Sequence, residues 1–227
     1  ITHAKEAEQR LEHAKRVAED ANAAKDRFLA TLSHELRTPL TPALLTASAL
    51  QDDASLPEHA RNQIIEMRRH IEMEARLIDD LLDLTRITAG KLDLQHSIVD
   101  LHHILELVMG ICQHEIREKS LDVQVSLEAC CATVCGDAAR LQQVFWNLLK
   151  NAVKFTPEGG SIHIRSRNIR HNPLESEAIR VEVEDTGIGM DADTLGRIFN
   201  AFQQGSRKIT REFGGMGMGL SISKAIM

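Results

Sequence analysis

The period of the apolar residues changes near Gly90, and no other feature of the sequence constrains the fold as strongly. Before Gly90, apolar residues recur at three- and four-residue intervals through two long segments, which is typical of amphipathic helices. After Gly90, short alternating segments typical of strands are interspersed with shorter helical ones. The change predicts two domains, a helical one followed by a mixed one, with the boundary near residues 90–98.

The helical part begins with residues 1–27, which are rich in Ala, Glu, Lys and Arg and place alanines in a heptad-like alternation. We interpret them as a parallel coiled coil that continues into the next helix, with a solvated surface helix as the alternative. Residues 51–58 are polar and predict a turn, and a second amphipathic helix follows over 57–89, with Gly90 as its stop. Two such hairpins can pair as a four-helix bundle, so we expect a homodimer.

The part after Gly90 predicts an α+β sandwich, because strands and helices are mixed along it. Asp100 and Asp137 directly precede apolar helical patterns and are the expected N-caps of two helices. The predicted elements are strands at 91–94, 121–127, 161–167 and 179–184, and helices over 101–119, 138–155 and from about residue 220.

Composition and charge exclude several classes of function. The net charge of −6 argues against non-specific binding to nucleic acid or to an anionic membrane surface. Aromatic residues make up only 3% of the chain, so the cores are expected to be aliphatic. No apolar run is long enough to span a bilayer, and the first residues lack the features of a signal peptide. We therefore expect a cytoplasmic fragment, whose parent chain could carry a sensor or a membrane anchor before Ile1.

Three of the four cysteines are clustered, which raises the question of a metal site. Cys130, Cys131 and Cys135 form a C-C-x-x-x-C pattern. This is not a standard zinc pattern, and no second pair of cysteines or histidines stands at a suitable distance. We interpret the cluster as part of a loop and a strand, with metal or redox chemistry as the alternative.

Three polar residues share one face of the helix predicted over 138–155. Asn147, Asn151 and Lys154 are spaced i, i+4 and i+7, which places them in a row. Two amides supply oxygen ligands for a hard cation, and the ammonium supplies positive charge for a phosphate. The row indicates a site for a magnesium-bound triphosphate; the alternative is an exposed polar face without a ligand.

Two glycine-containing segments add to this indication. In D-T-G-I-G-M, Asp185 follows a strand and can accept a hydrogen bond from an exocyclic amine, while Gly187 and Gly189 let the backbone approach a flat ring. In G-G-M-G-M-G-L, glycines precede a helix start, where an anion binds well. This second segment is neither a Walker loop nor a dinucleotide-binding βαβ turn. The polar and basic residues 200–213 between the two segments are predicted to form a mobile lid over a nucleotide.

These segments, in this order and behind a helix that contains S-H-E-L-R-T-P-L, resemble the sensor histidine kinases of two-component signalling. N-L-L-K-N-A-V-K-F is similar to their N box, F-N-A-F-Q-Q to their F box, and the two glycine segments to their glycine boxes. The resemblance implies a dimerisation and histidine phosphotransfer domain at 28–95, after a signalling helix at 1–27. It implies a catalytic domain with the Bergerat-type ATP-binding fold at 96–227.

The resemblance also implies catalytic roles for three residues of the first domain. His34 would be the phosphoacceptor, attacking the γ-phosphate of ATP through its distal ring nitrogen as a neutral base. Glu35 would accept a hydrogen bond and then a proton from the other ring nitrogen. Thr38 would orient the water that hydrolyses the phosphorylated receiver. The expected partner is a response-regulator receiver domain, on a separate protein or on the same parent chain, with phosphatase activity toward it as a further possibility.

On the nucleotide side the resemblance implies ATP and Mg²⁺ as cofactors. Asn147 and Asn151 would hold Mg²⁺, Lys154 would touch phosphate, and Asp185 would bind adenine. The other residues implied in cofactor binding are Phe155, Gly187, Gly189, Arg211, Gly215, Gly217, Gly219 and Leu220.

The sequence departs from the family pattern at two kinds of position. Met216 and Met218 replace the threonine and leucine that the second glycine box usually has. The family also continues the helix that contains Ile226 and Met227 and then adds closing strands, so we expect a less stable sandwich here.

Two other functions are weighed against the kinase. An ATPase of the same fold, of the gyrase and mismatch-repair class, would place a glutamate base where Asn147 stands. A non-catalytic dimerisation module would not need Asn147, Asn151, Lys154 and Asp185.

Overall fold

The computed structural model describes residues 2–51, 53, 55–169, 178–203 and 217–227. Some side chains of the first helix before Glu35, including that of His34, also lie outside this description. The chain divides into two compact units, residues 1–91 and 92–227. This division falls within the boundary that the change of apolar period predicts.

The first unit is a pair of long helices that pack against each other, α1 (Thr2–Gln51) and α2 (Glu58–Thr88). The predicted turn between them and the predicted extent of the second helix are confirmed. Gly90 ends α2 as expected: it has φ +65°, and its N–H donates to the carbonyl of Ile87 at 2.9 Å. The N–H of Lys91 donates to Arg86 at 2.9 Å, which completes a Schellman motif.

Polar and apolar contacts hold the two helices together. Arg37 of α1 forms an ion pair with Asp79 of α2. Ala47, Leu82 and Leu84 are buried. Other apolar side chains of the pair remain exposed: Leu36, Leu45, Leu50, Met67, Met73 and Leu81.

The second unit contains two sheets and four helices within its described residues. In chain order its elements are β1 (Ser97–Asp100), α3 (Leu101–Glu118), β2 (Asp122–Leu127), β3 (Thr133–Gly136), α4 (Ala138–Phe155), β4 (Ser161–Ile169), β5 (Ala178–Asp185), α5 (Ala192–Leu195) and α6 (Gly219–Ile226). β1 and β3 pair antiparallel, and the larger sheet has the order β2–β4–β5. In that sheet, β2 is parallel to β4 and β5 is antiparallel to it.

The core of the second unit lies between the larger sheet and the pair α3 and α4. Ile162 and Ile164 of β4 are almost completely buried, as are Val108 and Cys112 of α3 and Val153 of α4. The predicted α+β sandwich is confirmed, and its core is mainly aliphatic. The outer positions of β4 and β5 carry exposed ion pairs, including Arg167 with Glu182 at 3.2 Å.

The two predicted helix caps are confirmed. The Asp100 carboxylate accepts hydrogen bonds from the N–H groups of His102 and His103, at 2.9 and 3.4 Å. The Asp137 carboxylate accepts from Ala139 and Arg140, at 3.0 and 3.2 Å. Each cap satisfies N–H groups that the first helical turn leaves without partners.

The strand predicted at 91–94 is wrong, because the strand lies at Ser97–Asp100 instead. Leu92 and Leu94 are half-buried without belonging to a ladder, so their alternation with polar residues reflects burial alone. Two short elements, β3 and α5, were not predicted from the sequence. β3 contains Cys135, while Cys130 and Cys131 lie in the loop before it.

Candidate functional site

The polar row on α4 connects this helix to α6. Asn147 is only 5% exposed, and its amide nitrogen donates to the carbonyl of Gly219 at 3.1 Å and to the hydroxyl of Ser223 at 3.3 Å. The carboxamide oxygen is therefore the atom of Asn147 that can bind a cation. Asn151, one turn later, is half-buried, and its side chain is the more accessible of the two amides.

Lys154 ends the polar row in an environment that favours binding of an anion. Burial is the main cause that lowers the pKa of its ammonium, and the charge of Lys150 lowers it further. The Nζ atom lies 5.0 Å from the centroid of the Phe155 ring. A partly desolvated ammonium attracts a phosphate more strongly than a fully hydrated one does, because the local dielectric constant is lower.

Asp185 lies at the end of β5, on the sheet face that α4 covers. It is paired in register with Ile162, whose side chain is fully buried in the core. The Asp185 carboxylate is exposed and accepts a hydrogen bond from the N–H of Gly187 at 2.9 Å. This bond holds the carboxylate at the start of the D-T-G-I-G segment.

The D-T-G-I-G segment packs directly on the end of α4. The N–H of Ile188 donates to the carbonyl of Phe155 at 3.3 Å. A Cβ atom at Gly187 would lie 2.9 Å from the same carbonyl oxygen, so this contact requires glycine. Gly189 has φ +68° and no neighbour within 4 Å of a Cβ, so its backbone conformation is what favours glycine there.

The second glycine segment brings the start of α6 against α4. Gly217 has φ +69°, and a Cβ there would collide with the backbone carbonyl of Gln203. A Cβ at Gly219 would lie 3.1 Å from the amide of Asn147. α6 starts at Gly219 without a side-chain cap from Met218, and Leu220 is half-buried in its first turn. The N–H groups of this turn carry the positive end of the helix dipole, which suits a phosphate.

The structure therefore brings most of the predicted nucleotide-binding residues together within the second unit. α4 supplies the polar row, β5 supplies Asp185, and the described glycines let the two loops approach α4 closely. This donor set of amide oxygens, ammonium and uncapped N–H groups fits a magnesium-bound triphosphate. Arg211 and Gly215, with most of the predicted lid, lie outside the described residues.

The predicted catalytic residues of the first unit lie on α1. His34 is within this helix, but its side chain is outside the described part of the structure. Glu35 and Thr38 are exposed. Arg37, in the same turn, is held by its ion pair with Asp79.

Sequence reasoning missed two residues that contact the site. Ser223 of α6 receives a hydrogen bond from Asn147, and Lys119, just after α3, donates hydrogen bonds to the end of α4. A lysine in the last turn of a predicted helix is common, so nothing in the sequence distinguished Lys119 from a surface residue.

Within the described residues, no helix is long and apolar enough to cross a membrane. The same part of the chain has no group of three or more histidine, cysteine, aspartate or glutamate residues that could hold a metal ion.

Comparison with known families agrees with this arrangement. The sequence model of the His Kinase A (phospho-acceptor) domain matches residues 24–90. The sequence model of the histidine kinase-, DNA gyrase B-, and HSP90-like ATPase matches residues 136–227. A phospho-acceptor helical pair followed by this ATPase fold defines a class of signalling protein, and the chain belongs to the sensor histidine kinase family.

Individual relatives are similar over nearly all of the chain. The autoinducer 2 sensor kinase/phosphatase LuxQ of Vibrio parahaemolyticus is 35% identical over 235 residues, covering 100% of this chain and 26% of LuxQ. The signal transduction histidine-protein kinase BarA of Escherichia coli is 33% identical over 219 residues, covering 96% of this chain and 23% of BarA. The chain thus spans about a quarter of the length of these relatives.

A solved structure supports the fold of both units. The crystal structure of full-length ShkA in complex with AMPPNP is similar with a TM-score of 0.65 and 31% identity. The similarity covers 87% of this chain and 40% of ShkA.

Proposed function

We propose that the chain uses ATP to phosphorylate its own His34 and passes the phosphoryl group to an aspartate of a response-regulator receiver. One observation carries the proposal: the polar row of α4 lies together with Asp185 and the uncapped start of α6. The phospho-acceptor match of the same chain includes His34. The structure of ShkA with AMPPNP, an analogue of ATP, supports binding of ATP.

In the proposed reaction a ring nitrogen of His34 forms a bond to the γ-phosphorus as the bond to the β,γ-bridging oxygen breaks and ADP leaves. The attacking ring nitrogen needs a free lone pair, so the imidazole reacts in its neutral form. Glu35, next in sequence and exposed, takes the proton from the other ring nitrogen. Phosphoryl transfer otherwise requires mainly positioning and neutralisation of charge.

The second unit supplies that positioning and charge. Asn151, with the carboxamide oxygen of Asn147, would hold Mg²⁺, which neutralises phosphate charge when bound. Lys154 places its ammonium on phosphate, and Asp185 accepts a hydrogen bond from the adenine amine. The N–H groups at the start of α6, with Gly217 and Gly219 beside them, bind phosphate oxygens. Phe155, Gly187, Gly189 and Leu220 line the nucleotide site, and Gly215 and Arg211 would act from the lid.

The remaining parts of the proposal concern assembly and partner. The exposed apolar residues of α1 and α2 are suited to a four-helix bundle between two copies, preceded by a coiled coil at 1–27. Thr38 would orient water for dephosphorylation of the receiver, and the name sensor kinase/phosphatase given to LuxQ favours this second activity. We place the reaction in the cytoplasm, where ATP is available.

An ATPase without histidine transfer is the strongest competing function, because the matched ATPase family includes gyrase-like members. Asn147 argues against it, since an amide cannot act as the general base that activates water. Its amide nitrogen is also engaged by Gly219 and Ser223.

Incubation with γ-labelled ATP tests the proposal against its competitors. A kinase incorporates label that is labile in acid and stable in base, and His34→Gln removes it. Release of free phosphate without labelled protein would instead support the ATPase. Neither label nor free phosphate, from a protein shown to be folded, would support a non-catalytic dimerisation module.

A further inference from the structure

The ammonium group of Lys119 lies against the C-terminal end of α4. Its Nζ atom donates hydrogen bonds to the carbonyl oxygens of Val153, Lys154 and Thr156, at 2.8, 2.9 and 3.0 Å. The last carbonyls of a helix lack partners within the helix and carry the negative end of its dipole. An ammonium has three N–H groups, so these three acceptors use all of them.

The backbone of Lys119 fixes two further segments at the same point. Its N–H donates to Glu115 at 3.1 Å, which closes the last turn of α3. Its carbonyl accepts from the N–H of Gly159 at 3.0 Å, in the turn that leads into β4. The end of α3, the end of α4 and the following turn therefore meet at one residue.

The end of α4 that Lys119 holds also carries the residues proposed to bind the nucleotide. Lys154 and Asn151 lie in its last two turns, on the phosphate side. The Phe155 carbonyl accepts from Ile188 and touches Gly187, on the side that leads to Asp185. A shift of the last turn of α4 would therefore displace both sides of the site together.

We infer that Lys119 is a positioning residue for the nucleotide site, a role that rests on the proposed function. Carbonyl oxygens at the end of α4 accept all three of its N–H groups, so it would act on the nucleotide only through that helix. By holding the last turn of α4, it fixes the spacing between the phosphate-binding ammonium of Lys154 and the adenine-binding carboxylate of Asp185. The phosphate and the adenine of one nucleotide can both be bound only if this spacing is kept. Small displacements of positioning groups weaken binding and catalysis strongly.

The test compares variants of the full chain by calorimetric titration with MgATP, at a temperature where each variant is shown to be folded. Lys119→Met keeps an aliphatic side chain and removes all three donors. We expect its Kd for MgATP to rise about tenfold. This is the effect of losing roughly one charged hydrogen bond between the displaced site and the nucleotide. Lys119→Arg restores most of the affinity, because it keeps a charged donor. Arg117→Met, which removes an exposed positive charge two residues away, leaves the Kd unchanged.

A folded Lys119→Met variant with the wild-type Kd would overturn the inference, as would an equal loss of affinity in Lys119→Arg and Lys119→Met. If Lys119→Met does not fold, ¹⁵N NMR spectra of the lysine ammonium groups of the wild type test the inference in place of the Kd values. The inference requires a slowly exchanging Lys119 signal that shifts when MgATP is added, and an unshifted signal contradicts it. A wild type that binds MgATP without labelling His34 refutes the proposed function and leaves this inference standing, whereas a wild type that binds no MgATP refutes both.

Discussion

At the scale of single residues, the site depends on polar side chains that are partly removed from water. Lys154 is half-buried beside Lys150, and both conditions lower the pKa of its ammonium. Asn147 is buried but satisfied, since its amide nitrogen has two acceptors on α6. The partly buried ammonium of Lys154 lowers the stability of the protein without a ligand, because charge burial is costly.

Lys154→Met is expected to separate stability from binding. A lysine whose pKa is lowered by folding costs stability while it is protonated, and this cost disappears as pH rises from the lowered pKa toward the usual 10.5. The variant should therefore have a higher Tm than the wild type at pH 7, and the difference should shrink toward pH 10. Its affinity for MgATP should fall by about tenfold or more, because a charged phosphate contact is lost.

Thermal unfolding at both pH values and calorimetric titration with MgATP check this prediction. Arg117→Met again serves as the control for loss of a positive charge. A lower Tm at pH 7, or unchanged affinity, would contradict the role assigned to Lys154.

Candidate site residues could be recognised from the sequence where their role depends on local spacing. The row of Asn147, Asn151 and Lys154 follows from helical periodicity, and the structure keeps these residues on α4. The contacts of Lys119 and Ser223 could not be predicted, because each joins elements distant in sequence and uses atoms that many lysines and serines offer.

At the scale of elements, helices were predicted better than strands. The caps Asp100 and Asp137 lie directly before their helices, so a few adjacent residues were enough. A strand needs a partner that is far along the chain: β1 pairs with β3, more than thirty residues later. The alternation at 91–94 was therefore mistaken for a strand, while β1, whose Ile98 is largely exposed, showed no clear apolar alternation.

The cap of α4 is expected to contribute pH-dependent stability. Hydrogen bonds from the backbone of Gln95 and then of Arg140 and Ala139, with the charge of Arg140, lower the pKa of the Asp137 carboxyl. A carboxyl with a lowered folded-state pKa stabilises the fold above its usual value of 3.8, and this contribution is lost as pH falls through the lowered value. Asp137→Ala should lower the free energy of unfolding at pH 7 by about 1 kcal/mol, the usual effect of losing an N-cap.

Urea unfolding at pH 7 and near pH 3 measures this contribution. The deficit of Asp137→Ala should be smaller at the lower pH, and Asp137→Asn, which keeps a capping oxygen, should lose less at pH 7. A deficit that does not change with pH would show that the charge of Asp137 does not contribute.

At the scale of the whole molecule, the apolar period changes near Gly90, and the chain divides into two units after Lys91. The exposed apolar residues on α1 and α2 are the part of the surface that a second copy would cover in the proposed homodimer. The sequence alone could indicate this face, because helical periodicity repeats over the full length of both helices.

Leu45→Asp tests that face, since Leu45 is 67% exposed in the single chain. Placing a carboxylate in an apolar helix interface carries a desolvation cost of several kcal/mol per ion, so we expect the dimer to dissociate at micromolar concentration. Light scattering coupled to size-exclusion chromatography measures the mass. Leu107→Asp on α3, also at an exposed leucine, is the control and should remain dimeric. A monomeric wild type, or an unaffected Leu45→Asp dimer, would contradict the proposed assembly.

The central claim is that a nucleotide site built by α4, β5 and α6 delivers a phosphoryl group to one imidazole on α1. The most direct measurement is the position of the phosphate after incubation with MgATP, determined by ³¹P spectroscopy and by mass spectrometry of peptides prepared in base. We expect a phosphoramidate on His34, absent in His34→Gln although this variant still binds MgATP. A wild type that binds MgATP and carries no phosphate on His34, or a His34→Gln variant that is phosphorylated equally, would contradict the account.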